Sequence, residues 1–177
     1  MTLRNTLPWA VLMIGALVIT YTWAPTTGNK ALTPVEKRAT AADFKLVDSA
    51  GTEVNLSDYK DKVVLLNFWA TWCGPCEVEI PWFKEFEQTY KDRGFAVLGV
   101  SEDEGGWPTV RAYMESRKMN YRVLLDADQS KLPSPYKEIQ ALPTTLLIDR
   151  QGRIAGTHTG LVSRETYEYG IQQLLAN

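Results

Sequence analysis

The sequence predicts an α/β fold, a mixed central sheet flanked by helices and entered through an N-terminal β-hairpin. Three observations point there. Short apolar runs rich in β-formers alternate with stretches of helical periodicity. Turn signals separate most of them. The composition is that of one ordinary globular domain, with 177 residues, 45% of them apolar and 23% charged.

The elements follow in order. Residues 43–47 and 52–56 flank an Asp-Ser-Ala-Gly turn and read as a small hairpin. Residues 62–69 (KVVLLNFW) form a nearly continuous apolar run, as a central strand covered on both faces requires. Ile80, Phe83, Phe86 and Tyr90 then recur at helical spacing in a segment ending near Gly94, and Pro81 is expected to kink or weaken its first turns. Residues 95–100 are a second buried strand. After Gly105 and Gly106, Pro108 opens a helix with Val110, Tyr113, Met114 and Arg117 on one face. Residues 121–125 read as a third parallel strand, and 131–140 as at most a short, proline-interrupted helix. Residues 144–148 and 153–157 form a hairpin around the turn at 149–152. Ser163 caps a last helix with Tyr167, Ile171 and Leu174 turned inward.

The start of the chain is different. Residues 7–24 are mostly apolar, and no acidic or basic side chain lies between Arg4 and Lys30. As a helix this run extends roughly 27 Å, close to the thickness of a bilayer's hydrocarbon core. Trp9 near one end, and Tyr21 and Trp23 near the other, suit the lipid–water interface. Residues 1–24 are therefore expected to be a membrane anchor. A signal peptide cut near Ala24, or a buried core helix, are the competing readings. Residues 25–40, with Pro25, Gly28 and Pro34, read as a tether, and residues 41–177 as the folded domain. With the start held inside, the domain lies in the periplasm or an equivalent extracytoplasmic space, on a single-pass anchor in the cytoplasmic membrane.

Charge and cysteine usage exclude several functions. Nineteen basic residues face 21 acidic ones, a formal net charge of -2. There is no basic excess to neutralise phosphates, so nucleic acid is not an expected partner. Two cysteines and one histidine cannot build a disulfide-stapled scaffold, nor a zinc site of four Cys/His ligands. No metal and no cofactor are expected beyond what the cysteine pair itself can do.

That pair sits in Trp72-Cys73-Gly74-Pro75-Cys76, between the central strand and the following helix. A cysteine at a helix N-terminus meets unpaired N–H groups and the positive end of the helix dipole, which stabilise a thiolate. Closing so small a ring adds little stability, so a purely structural disulfide explains the pair poorly. A pair that opens and closes explains it better, with Cys73 attacking a substrate disulfide and Cys76 resolving the mixed disulfide. With one distant imidazole, the metal alternative reduces to a two-thiolate Cu(I) site or one shared with a partner.

The run from Asn67 to Cys76 (NFWATWCGPC), followed by Glu79 and Pro81, resembles the thioredoxin superfamily. More narrowly, it is similar to the membrane-anchored, extracytoplasmic TlpA/ResA-type thioredoxins. The match extends from about Asp43 to the C-terminus. It takes in the hairpin, residues 56–59, a central helix–strand insertion over 107–125, Leu142-Pro-Thr-Thr145 and residues 147–150. The resemblance implies a thioredoxin-like fold with a cis Pro143 beside the cysteines, where a residue without an N–H leaves neighbouring backbone free for substrate. It implies substrate contacts from Trp72, Gly74, Pro75, Leu142 and Thr144. Asn67 departs from the buried aspartate usual in cytosolic thioredoxins and cannot transfer protons. The resemblance instead gives Glu79 that work, exchanging a proton with Cys76. Glu102 is a weaker candidate, since Glu102, Asp103 and Glu104 read more simply as a solvated loop. His158 is expected to be a strand residue with no catalytic work.

The expected activity is a thiol–disulfide oxidoreductase that mainly reduces protein disulfides, Gly-Pro between the cysteines resembling the reducing thioredoxin pair. The resemblance implies clients among apocytochrome c thiols or oxidase copper-delivery proteins, a membrane thiol reductant as electron donor, and a monomer. The alternatives are a disulfide oxidase or isomerase, and a Cu(I)-binding chaperone.

Overall fold

A computed structural model of the chain describes residues 32–126 and 131–177. Seven strands build one sheet: β1 (Lys45–Asp48), β2 (Glu53–Asn55), β3 (Val63–Trp69), β4 (Phe95–Ser101), β5 (Arg122–Leu125), β6 (Thr144–Ile148) and β7 (Ile154–Thr159). Their spatial order is β2-β1-β5-β4-β3-β6-β7. Strands β3, β4 and β5 run parallel, and β6 returns antiparallel to β3, so the sheet is mixed.

The parallel trio dictates where the helices lie. Helix α1 (Gly74–Tyr90) joins β3 to β4 and α2 (Gly106–Arg117) joins β4 to β5. Successive right-handed crossovers stepping in one direction put both on the same face. Strand periodicity separates the two faces: Val63, Leu65 and Trp69 point to the helices, Val64, Leu66 and Phe68 away from them. The helix side also buries Tyr167, Ile171 and Leu174 of α3 (Arg164–Leu175), while Phe44, Leu56, Leu132 and Tyr136 cover the other side. Ser163 caps α3 as expected, its side chain accepting from the Thr166 N–H.

Helix α1 runs from Gly74 to Tyr90 with Pro81 inside it. In 131–140 only a 3₁₀ turn forms, Tyr136–Glu138, after a cis Ser134–Pro135 bond. The prolines deny that stretch the consecutive N–H donors a helix needs. Residues from Leu32 to Ala41, largely within the expected tether, lie against the folded body. The N–H of Thr33 donates to the Ala155 carbonyl at 2.7 Å, that of Ile154 to Ala39 at 2.8 Å and that of Ala41 to Gly152 at 2.9 Å. Arg38 pairs with Asp149 at 3.0 Å. The apolar run at 7–24 lies outside the described residues, and among those described no helix is long and apolar enough to cross a membrane.

Candidate active site

Strand β3 ends at Trp69, and the chain reaches α1 through Ala70, Thr71 and Trp72. This is the carboxyl end of the parallel strands, where open α/β sheets place their sites. Cys73 is the N-cap of α1, and its sulfur accepts from the Cys76 N–H at 3.3 Å. The two cysteines form a disulfide with Cα atoms 5.3 Å apart. Both are nearly buried, Cys73 at 5% exposure and Cys76 at 1%, whereas Trp72 is 72% exposed. The pair is covered from within and reachable from one side only. A Cβ built on Gly74, between the two cysteines, meets nothing within 4 Å.

Across the sheet, Thr144 of β6 lies opposite Phe68 of β3, which brings Pro143 alongside the exit toward Cys73. The Leu142–Pro143 bond is cis. The Pro143 carbonyl accepts from the Gly160 N–H at 2.8 Å, and the buried Thr144 hydroxyl donates to Ala141 at 2.8 Å, steadying the turn. Leu142 packs part-buried against the cluster that holds the cysteines. Leu161, 48% exposed, follows the Gly160 that bonds Pro143.

Glu79 lies one turn beyond Cys76 on the inner face of α1, fully buried. Its Oε1 accepts from the Tyr167 hydroxyl at 2.7 Å, while Oε2 has no hydrogen-bond partner among the described residues. Burial raises its pKa to about 7, against the opposing pull of the Tyr167 hydroxyl and the Val162 backbone N–H. A carboxyl poised there can give or take a proton near neutral pH.

Residues 38–157 match the AhpC/TSA family. The chain belongs to that family. Within it, the chain is 37% identical to the thiol–disulfide oxidoreductase ResA of Geobacillus kaustophilus over 142 residues, 80% of each protein. It is 34% identical to ResA of Bacillus subtilis, covering 73% of this chain and 70% of that one. A Chlorobium tepidum protein assigned to the DsbE thiol:disulfide interchange proteins superposes with a TM-score of 0.72 at 33% identity, over 78% of this chain and 96% of the other. The thioredoxin domain of a thiol–disulfide oxidoreductase from Bacteroides vulgatus gives 0.67 at 27% identity, over 77% and 96%. The chain is thus a thioredoxin-superfamily protein of the ResA type and a thiol–disulfide oxidoreductase.

In this ResA-type site the structure gathers Trp72, Cys73, Gly74, Pro75, Cys76 and Glu79 on the end of β3 and the first turns of α1. Leu142 and Pro143 come from the turn before β6, and Thr144 opens that strand. His158 of β7 lies opposite Thr145, with its ring edge-on to Tyr167 at 5.3 Å. Asn67 is buried and donates to Thr145 Oγ1 at 2.9 Å. Glu102 borders a groove of about 410 Å³ together with Trp72, Glu104 and Thr109.

Two contributors escaped the sequence reading. Asp103, expected in a solvated loop, is only 2% exposed. It accepts from the Thr71 N–H at 3.0 Å, the Thr71 hydroxyl at 2.6 Å and the Ser101 hydroxyl at 2.8 Å. A charge-rich tripeptide looks solvated until the loop folds back over N–H groups that need an acceptor. Tyr167 was expected inward, and only its hydroxyl signalled more: a buried phenol needs a polar partner. Among the described residues no group of three or more His, Cys, Asp or Glu is arranged to hold a metal ion.

Proposed function

We propose that this oxidoreductase works as a reductant of protein disulfides outside the cytoplasm, tethered to the membrane by residues 1–24. The observation that carries the reading is Cys73 at the N-cap of α1, its sulfur receiving the Cys76 N–H, under an exposed Trp72. In the reduced protein, that first turn stabilises the Cys73 thiolate. The thiolate attacks one sulfur of a client disulfide, forming a mixed disulfide and expelling the client's first thiolate. Cys76 passes its proton to the Glu79 carboxylate and attacks Cys73 Sγ. The second client thiolate leaves, the Cys73–Cys76 disulfide closes, and two electrons have passed from the dithiol to the client.

Trp72, Gly74 and Pro75 supply the docking surface on one side, and Leu142, Pro143 and Thr144 on the other. The disulfide itself is the redox centre, with no further cofactor. The protein acts as a monomer. A thiol reductant in the membrane returns electrons to the pair, and c-type apocytochromes or copper-delivery proteins are the clients.

Equilibration of the reduced protein with glutathione tests the direction of the reaction. A potential near the reducing thioredoxin value of about -270 mV supports a reductant, and one near about -120 mV makes it an oxidase. Cys73→Ser abolishes reduction, while Cys76→Ser accumulates a mixed disulfide whose protein partner identifies the client. Tight Cu(I) binding by the dithiol without disulfide turnover overturns the enzymatic reading in favour of a metal carrier.

A further inference from the structure

Four polar side chains from four elements meet beneath the disulfide on the helix-covered face. Asn67 of β3, Thr145 of β6, Tyr167 of α3 and Glu79 of α1 are each at most 1% exposed. Two hydrogen bonds and one polar neighbour relation join them. Asn67 Nδ2–H donates to Thr145 Oγ1 at 2.9 Å. The Thr145 hydroxyl favours the ionised form of the Tyr167 phenol. The Tyr167 hydroxyl donates to Glu79 Oε1 at 2.7 Å. Neighbouring polar groups polarise one another, and the series ends on a carboxylate.

We propose that Tyr167, backed by Thr145 and Asn67, is a positioning residue that fixes the Glu79 carboxyl and sustains its proton-accepting form while Cys76 attacks. The inference rests on the reading of Glu79 as the proton partner of Cys76. A carboxylate buried without donors stays protonated and cannot take a proton from the thiol. The Tyr167 hydroxyl, with the Val162 N–H, offsets part of that burial, and Oε2 has no hydrogen-bond partner among the described residues.

Tyr167 gives a hydrogen bond and not its proton, because burial and then the neighbouring Glu79 charge push its ionisation far up. The other titratable groups around Glu79 are few. Cys73 and Cys76 share its helix. Tyr121, before β5, is buried and feels the Glu79 charge, and its own ionisation is pushed far up by that burial. His158 of β7 reaches the chain through the ring of Tyr167. The remaining links, Asn67 and Thr145, do not titrate. The amide at position 67 gains a purpose here: an ionised aspartate has no proton to donate to Thr145, and the chain would lose its head.

The test is the pH profile of single-turnover reduction of a disulfide-bonded peptide by the full-length reduced protein, from pH 5 to 9. Tyr167→Phe is expected to move the acidic limb up by about one pH unit, as loss of one hydrogen bond to a charged group implies. The rate then falls about fivefold at pH 7 and recovers at pH 9. Asn67→Asp moves the limb the same way by a smaller amount. A general loss of packing slows the reaction at every pH and leaves the limb in place, and that result overturns the proposal. Should Tyr167→Phe fail to fold, Thr145→Val is expected to move the limb the same way by a smaller amount. Glu79→Gln separates the two readings. If the limb survives in it, Glu79 is not the proton partner; if it vanishes there yet stands still in Tyr167→Phe, only the positioning role is wrong.

Discussion

The Thr71 hydroxyl donates to Asp103 Oδ1 over 2.6 Å, joining the loop that leaves β4 to the loop that leaves β3 just before Cys73. The Thr71 backbone N–H reaches the same carboxylate at 3.0 Å. Trp72 therefore projects from a backbone pinned on one side by Asp103 and on the other by the N-cap of α1.

Asp103→Ala strands three donors, two of them from Thr71. Stability in urea is expected to fall by about 2 kcal/mol, the scale for buried donors left unpaired. Disulfide exchange should slow several-fold as the Trp72 loop loosens. Asp103→Asn keeps one acceptor oxygen and should lose less of both.

Glu79 makes stability depend on pH. Unfolded, its carboxyl releases the proton near pH 4.5; folded, it holds the proton up to about pH 7. The folded state binds the extra proton in that window, so the group's contribution declines as pH rises from about 4.5 to 7. Glu79→Gln lacks this loss and keeps an oxygen for Tyr167. It should match the parent at pH 4 and exceed it by up to about 3 kcal/mol at pH 8, measured by denaturant titration. Equal stability at pH 8 would show that the carboxyl is better solvated than its burial indicates.

The parts legible in the sequence are those written in local pattern. The uninterrupted run that became β3, the Ser163 cap and the cysteines placed between strand and helix each carry their cause within a few residues. The invisible parts are long-range polar pairings. Asp103 answers Thr71, 32 positions earlier in the chain, and Tyr167 answers Glu79 from 88 positions away. Arg38 answers Asp149 across 111 positions, and that pairing helps dock residues that looked like a tether. No periodicity announces such partners, because a side chain's acceptor is chosen by the fold and not by its neighbours in sequence.

Trp72→Ala separates docking from folding. With 72% of the side chain exposed, its loss should change stability by no more than about 0.5 kcal/mol. Reduction of a protein client should still drop several-fold, while reduction of a small-molecule disulfide drops less. An unchanged rate on protein clients places their docking surface elsewhere.

Gly170 offers a reversed sign. In most helix interiors Gly→Ala stabilises by about 1 kcal/mol. Here a Cβ would lie 2.5 Å from Cδ1 of Leu147, a residue with no solvent exposure and little space to yield. Gly170→Ala is expected to destabilise by about 1–3 kcal/mol, read as a lower Tm. A raised Tm would mean that α3 can lift from β6 at little cost.

The residues lying along β7 act as a guard rail for the sheet. A last strand carries a row of unsatisfied backbone groups that invites any passing extended chain. Thr33, Ala39 and Ala41 occupy that row at Ala155, Ile154 and Gly152. Residues 33–41 thereby satisfy backbone groups at the start of the last strand that would otherwise stand open to another extended chain. A fragment beginning at Asp43 would bare that stretch and gain a route to self-association.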